Sequence, residues 1–258
     1  MNDSPYFYML ILFLAAMLGG GIFFLTKKQS TNSIKLLLSF SAAYLLGLTL
    51  LHLFPELFES GIEYAGWYVM AGFLLQVILD FFSHGVEHGH AHSHAQAGTR
   101  FLFTVMASLW VHAFIEGMPF GGEMAGHVHD HSHHGHSHGP IGDDHRGSLL
   151  IGISLHKITE SLVFAALLIN SGVKTSRALF WVIVFAMVAP AGAFVHHYLI
   201  DLNIEGVATL TPKVTGVLIG ILLHVSTTII FESEEGHKFN WMKFGSILVG
   251  IALAALVS

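Results

Sequence analysis

Hydrophobic positions run along this chain in long blocks, without the alternation of a half-buried strand or the single stripe of a surface helix. Eight near-continuous apolar stretches, 6–26, 34–54, 65–83, 101–118, 149–169, 178–200, 214–231 and 241–257, are separated by polar connections. Each has about the length that a helix rising about 1.5 Å per residue needs to cross a hydrocarbon core of about 30 Å. One such stretch alone would fit a buried helix of a large soluble enzyme. Eight in succession leave almost nothing to form a water-facing exterior. The pattern predicts an all-α polytopic membrane protein with eight transmembrane helices, residues 1–258 forming a single transmembrane domain.

Charge placement gives an independent test, because Lys and Arg are retained in cytoplasmic connections. With the amino terminus outside, the inner connections hold Lys27, Lys28, Lys35, Arg100, Lys174, Arg177, Lys238 and Lys243, and the outer ones only Arg146 and Lys213. A wrong span count would scramble this alternation, so the bias predicts eight spans with both termini extracytoplasmic. The leader MNDSPY carries no positive residue before the first apolar stretch, as expected of an uncleaved span rather than a secretory signal. A short echo links Gly47-LTLL-His52-LFP-Glu56 in the second stretch to Gly220-ILL-His224, followed by Glu232, in the seventh. It predicts an inverted 3+2+3 repeat, spans one to three and six to eight flanking a central pair.

Composition narrows the chemistry. Of 258 residues, 53% are hydrophobic and 11% charged, against roughly 25% charged in an ordinary soluble domain. The formal net charge of −6 offers no basic surface for nucleic acid, which is excluded as a partner; the lipid bilayer is the expected one. There is no cysteine, so disulfides and thiolate metal sites are excluded, yet 20 residues are histidine.

Thirteen histidines fall in two connections rich in Gly, Ser and Ala: His84, His88, His90, His92 and His94 in a cytoplasmic loop at 84–100, and His127, His129, His131, His133, His134, His136, His138 and His145 in an extracytoplasmic loop at 119–147. Such segments cannot bury a core, and neutral imidazoles on them suit metal capture. The plainer alternative is a hydrophilic linker whose charge varies with pH. Of the remaining seven, His52, His112, His156, His196, His197 and His224 lie in or beside apolar stretches. Ionisable residues there are costly and point to function by default.

The fourth stretch contains His112-AFI-Glu116 and the fifth His156-KIT-Glu160. Four residues apart on a helix is one face and one turn, so each pair can converge on a point. If the two faces meet, two imidazole nitrogens and two carboxylates surround a site suited to tetrahedral zinc, and the same donors accept Fe2+, Mn2+, Co2+ or Cd2+. The plainer alternative is a polar pair bonding between helices, which fits a single copy better than two in neighbouring spans. Lys157 borders the site, about 100° around the helix from His156. It is expected to neutralise the carboxylates and occupy space that a second cation would need; the alternative is snorkelling toward an aqueous cavity.

These residues carry a resemblance. HAFIEG in the fourth span and HKITES in the fifth resemble the paired HxxxEG and HxxPEG motifs of the ZIP (Zrt-, Irt-like) family of divalent metal transporters. The likeness extends over the whole length, including LLHLFPE in the second span and APAGA at 189–193 in the sixth. It implies uptake of zinc or a related divalent cation toward the cytosol, with the transport site on the fourth and fifth helices and elevator-like alternating access. Ala113, Lys157 and Ala189 depart from the binuclear form of the family pattern, which implies a single-metal site at His112, Glu116, His156 and Glu160. Thr159 replaces a frequent proline. His52, Glu56, His224 and Glu232 stand near span ends where the family places access routes, and are candidates for the path.

The expected protein is therefore a multi-pass transporter of a cell membrane, bacterial inner or plasma membrane, with no catalytic residues and no resident cofactor; a homodimer is compatible with this expectation. Imidazole, with an unperturbed pKa of about 6.5, and carboxylate must both be deprotonated to ligate, so protonation would assist release. No GxxxxGK[ST] phosphate loop is present, so transport is expected to be passive or proton-linked. Two alternatives remain open. A cation exporter of the diffusion-facilitator type normally has six spans and a soluble carboxyl-terminal domain. An integral-membrane metal-dependent hydrolase would need an open ligand position with a water and a general base, a part Glu116 or Glu160 could take.

Overall fold

The computed structural model describes residues 4–26, 31–83, 99–122, 143–202, 210–231 and 240–256. The described residues form helices and turns and no strands. Nine α-helices follow in chain order: α1 (Pro5–Thr26), α2 (Thr31–Leu48), α3 (Phe54–Glu59), α4 (Ala65–Ser83), α5 (Thr99–Gly117), α6 (Asp143–Asn170), α7 (Thr175–Asp201), α8 (Leu210–Phe231) and α9 (Trp241–Leu256). Without water to satisfy a backbone in lipid, continuous helices are the economical solution for such sequences. Seven helical stretches among the described residues are long and apolar enough to span a membrane; α9, with 16 residues, is a shorter apolar helix.

The second of these stretches, Ser33–Glu59, joins α2 and α3 through a π-helical turn at Thr49–Leu53. Pro55 has no N–H to give to the preceding turn. The wider turn accommodates it, with the Phe54 N–H donating to the Thr49 carbonyl instead of to the residue four back. Lipid-facing and inward-facing sides separate cleanly along α1, where Leu10, Leu14 and Leu18 are exposed on one side and Leu12, Ala15, Ala16, Gly19 and Gly20 are buried on another. The spanning part of α6 is the most enclosed of all, placing its histidine and glutamate at the centre of the bundle.

The packing partners fall into two groups. α1 lies against α6 and α7, and α5 against α7; separately, α2 lies against α9 and α8, and α4 against α8. The groups meet where α2 touches α6 and α4 touches α5. At this seam the Ser108 hydroxyl of α5 donates to the Leu79 carbonyl of α4 at 2.6 Å, and the Tyr44 hydroxyl of α2 to the Ser148 carbonyl of α6 at 3.2 Å.

The expected extracytoplasmic loop is shorter than 119–147. Met118–Gly121 continues α5 as a 3-10 turn with Pro119, Phe120 and Gly121 buried, and α6 begins at Asp143, before the expected start of the fifth span at 149. The Arg146 guanidinium donates to the Gly122 carbonyl at 2.6 Å, tying the two ends of that connection together. Likewise α5 begins at Thr99, inside the loop expected to run to 100.

Candidate metal centre

Helical spacing sets up the site and close packing holds it. His112 and Glu116 share one face of α5; His156 and Glu160 share one face of α6, with Lys157 beside them. All five side chains are buried, none more than 2% exposed. α5 is seated on α7 by mutual small-residue contacts: a Cβ on Gly117, next to Glu116, would stand 1.9 Å from the Ala189 carbonyl oxygen, and one on Gly192 would stand 2.0 Å from that of Phe114. No side chain larger than hydrogen fits at either point, and small residues are the usual means of such approach between membrane helices. Ala189 and Ala113, where the resemblance leads one to look for further ligands, are buried packing positions.

The His112 and His156 rings meet edge to face with centroids 6.0 Å apart. His112 Nε2 lies 3.1 Å from Glu116 Oε1. One ligand atom from each of His112, Glu116 and His156 falls within 4.8 Å of the others, so these three can close on one ion. A tetrahedral zinc with bonds of about 2.0 Å sets its ligand atoms roughly 3.3 Å apart, a modest contraction from this arrangement. Both ring nitrogens of His156 lack a hydrogen-bond partner, an expensive condition for a buried imidazole unless a ligand completes it.

The second carboxylate is disposed differently. Lys157 Nζ lies 2.5 Å from Glu116 Oε2 and 2.5 Å from Glu160 Oε2, bridging the two. The ammonium also stands 5.5 Å from the centroid of the Phe185 ring. Lys157 therefore sits between the carboxylates rather than at the border of the site. Glu160, expected as a fourth ligand, gives one oxygen to this ammonium, and its other oxygen has no hydrogen-bond partner. Thr159, in place of the frequent proline, returns its hydroxyl to the His156 carbonyl at 2.7 Å within a continuous α6.

Sequence reasoning passed over Gln76. It is fully buried on α4, and its Oε1 accepts a hydrogen bond from His112 Nδ1 at 3.0 Å. A proton held on Nδ1 leaves the Nε2 lone pair facing the Glu116 carboxylate, two acceptors whose natural occupant is a cation. The available signal was one amide, one turn before Asp80, within a largely apolar span. The helix beside which that span would lie is not written in its spacing.

The path candidates separate. His224 on α8 packs edge-on against Phe73 with centroids 5.2 Å apart and interacts electrostatically with Asp80 of α4 and with His112. His52 Nε2 donates to the Ala254 carbonyl of α9 at 3.0 Å, so it ties two helices together. Glu56 is half-buried on α3. His196 donates from Nδ1 to the Met118 carbonyl at 2.6 Å, and His197 pairs with Asp201 at 3.6 Å; neither is among the three convergent ligands. Glu232 and the loop residues His84, His88, His90, His92, His94, His127, His129, His131, His133, His134, His136 and His138 lie outside the described residues.

Comparison of the sequence with protein-family models gives no match, and comparison with curated proteins gives none either.

Proposed function

We propose that the protein is a divalent metal transporter of the ZIP kind, carrying zinc toward the cytosol through a site between α5 and α6. The observation that carries this reading is the convergence of His112, Glu116 and His156 at a buried point between two apolar helices. A nitrogen and oxygen donor set fits Fe2+, Mn2+ and Co2+ as well as zinc and also accepts the softer Cd2+, so these are competing substrates. The metal is cargo; no resident cofactor or catalysis is needed.

The packing supports alternating access with an inverted 3+2+3 plan. Exchanging spans one to three with six to eight, and four with five, turns the α1–α6 pair into α7–α5 and the α2–α9 pair into α8–α4. All four pairings occur. The two packing groups are natural units for a relative displacement, with both ligand helices in one group and Gln76 in the other. In this reading α9 is the eighth span, both termini are extracytoplasmic, the protein resides in a bacterial inner membrane or a plasma membrane, and the histidine-rich connections gather metal at the two mouths. A hydrolase would use Glu116 or Glu160 as a base, but Lys157 pairs with both carboxylates and Glu116 also faces His112, which favours transport.

Zinc uptake into proteoliposomes carrying an internal zinc indicator tests the proposal. His112→Ala is expected to abolish uptake, and a wild-type rate in that variant would exclude this site.

A further inference from the structure

Two buried carboxylates and one ammonium occupy the space next to the convergent ligand atoms, and the ion pairs divide the work. Glu116 is split: Oε1 faces His112 Nε2 and Oε2 faces Lys157. Glu160 has only one charged partner at contact distance among the described residues, Lys157 of its own helix, three residues earlier. We infer that Lys157 is a built-in second cation, that Glu160 is its counter-ion rather than a metal ligand, and that the transported ion is held by His112, Glu116 and His156 with a remaining position open to water. The inference rests on the transport reading and deepens it by assigning what limits the site to one metal.

Charge explains why such an arrangement suits cargo. Two carboxylates without the ammonium would balance a divalent ion completely, and the Glu116 and Glu160 oxygens that Lys157 now holds would be free to coordinate a second ion. With the ammonium in place the empty site carries one net negative charge, and a bound divalent ion leaves one net positive charge. Low-dielectric surroundings magnify that difference, so a permanent internal cation weakens retention and favours release. Phe185 presents its ring to the ammonium, and the surrounding helices leave it no access to water. Removing Glu160 alone frees the ammonium to compete for the one carboxylate that the metal needs. Removing Glu160 and Lys157 together takes away the competitor with its counter-ion.

Two comparisons on the full-length chain test the assignment. Equilibrium dialysis against zinc, with metal measured per chain, compares K157Q with the wild type, so that binding by the loop histidines cancels. The expected result is roughly one additional zinc per chain and slower uptake despite tighter binding; equal stoichiometry overturns the inference. In liposomes, E160Q is expected to raise the zinc concentration for half-maximal uptake roughly 100-fold, and K157M/E160Q to return it to within about tenfold of the wild type. A double variant no better than E160Q would make Glu160 a direct ligand and overturn the inference. K157M/E116Q, which removes a ligand, is expected to stay inactive; its recovery would also overturn it. The readouts use different variants, so misfolding of one leaves the other decisive. Absence of uptake by the wild type would instead refute the transport reading, while dialysis would still decide the ion assignment.

Discussion

Gly19 and Gly21 stand two residues apart on α1 in opposite circumstances. A Cβ on Gly19 would lie 2.0 Å from the Ile158 carbonyl oxygen and under 3.0 Å from its carbonyl carbon and Cα, whereas one on Gly21 would meet nothing within 4 Å. Ile158 belongs to the turn of α6 that carries His156, Lys157 and Glu160. The obstacle is backbone, which no rotamer change removes, so in Gly19→Ala the two helices must part by about 1 Å to reach even a tight van der Waals contact. Overpacking of this kind costs about 1–3 kcal/mol, and the better helix propensity of alanine returns only about 1 kcal/mol. The ligand atoms must close to roughly 3.3 Å around a zinc ion, so displacing the turn that carries His156 by about 1 Å should cost about tenfold or more in zinc uptake. Gly21→Ala gains the propensity without the clash. The assay pairs thermal unfolding in detergent with liposome uptake: Gly19→Ala should melt lower and transport poorly, Gly21→Ala should melt about 2–4 °C higher and transport normally. If both variants melt and transport alike, close packing of α1 on the metal-bearing turn does not hold the site, and the reasoning fails.

Other expectations follow from single contacts. Gln76→Leu removes the acceptor for His112 Nδ1 and should weaken zinc affinity about 10- to 100-fold at unchanged chain folding, measured as the concentration for half-maximal uptake, while Gln76→Glu should retain most of it. His52→Phe removes the hydrogen bond to the Ala254 carbonyl and should destabilise the protein by about 1 kcal/mol in thermal unfolding, with uptake held within about twofold; a selective loss of uptake would return His52 to the conduction path.

The architecture was legible where the bilayer dictates it. Long apolar stretches in lipid satisfy their backbones as helices, and the eight apolar stretches coincide with helical segments to within a few residues except at the start of α6, seven of these segments being long enough to span a membrane. That helix runs back to Asp143, and its Arg146 reaches the Gly122 carbonyl, a tertiary contact without a hydropathy signature. The π turn at Thr49–Leu53 had its cause in Pro55, yet a proline can be accommodated by a kink or a break as well, and spacing does not choose. Within the candidate site, the shared face of His112 and Glu116, and that of His156 and Glu160, were readable because a separation of four residues is one helical turn. Lys157 was expected to neutralise the carboxylates, but its place between them, the pairing of Glu160 with it and the contact of Gln76 with His112 were not readable. They depend on which face of α6 meets α5 and on α4 lying alongside, relations between helices that are distant in sequence. His52 was read as a path candidate, and its hydrogen bond to the Ala254 carbonyl depends on the position of α9, which spacing does not give.

The central claim is that Glu116 and its two histidines carry a divalent ion across the bilayer. Its most direct test is zinc accumulation in proteoliposomes reconstituted with equal amounts of folded wild-type and Glu116→Gln protein. The account predicts time-dependent uptake by the wild type and a rate indistinguishable from protein-free liposomes for the variant; equal uptake by both would contradict it.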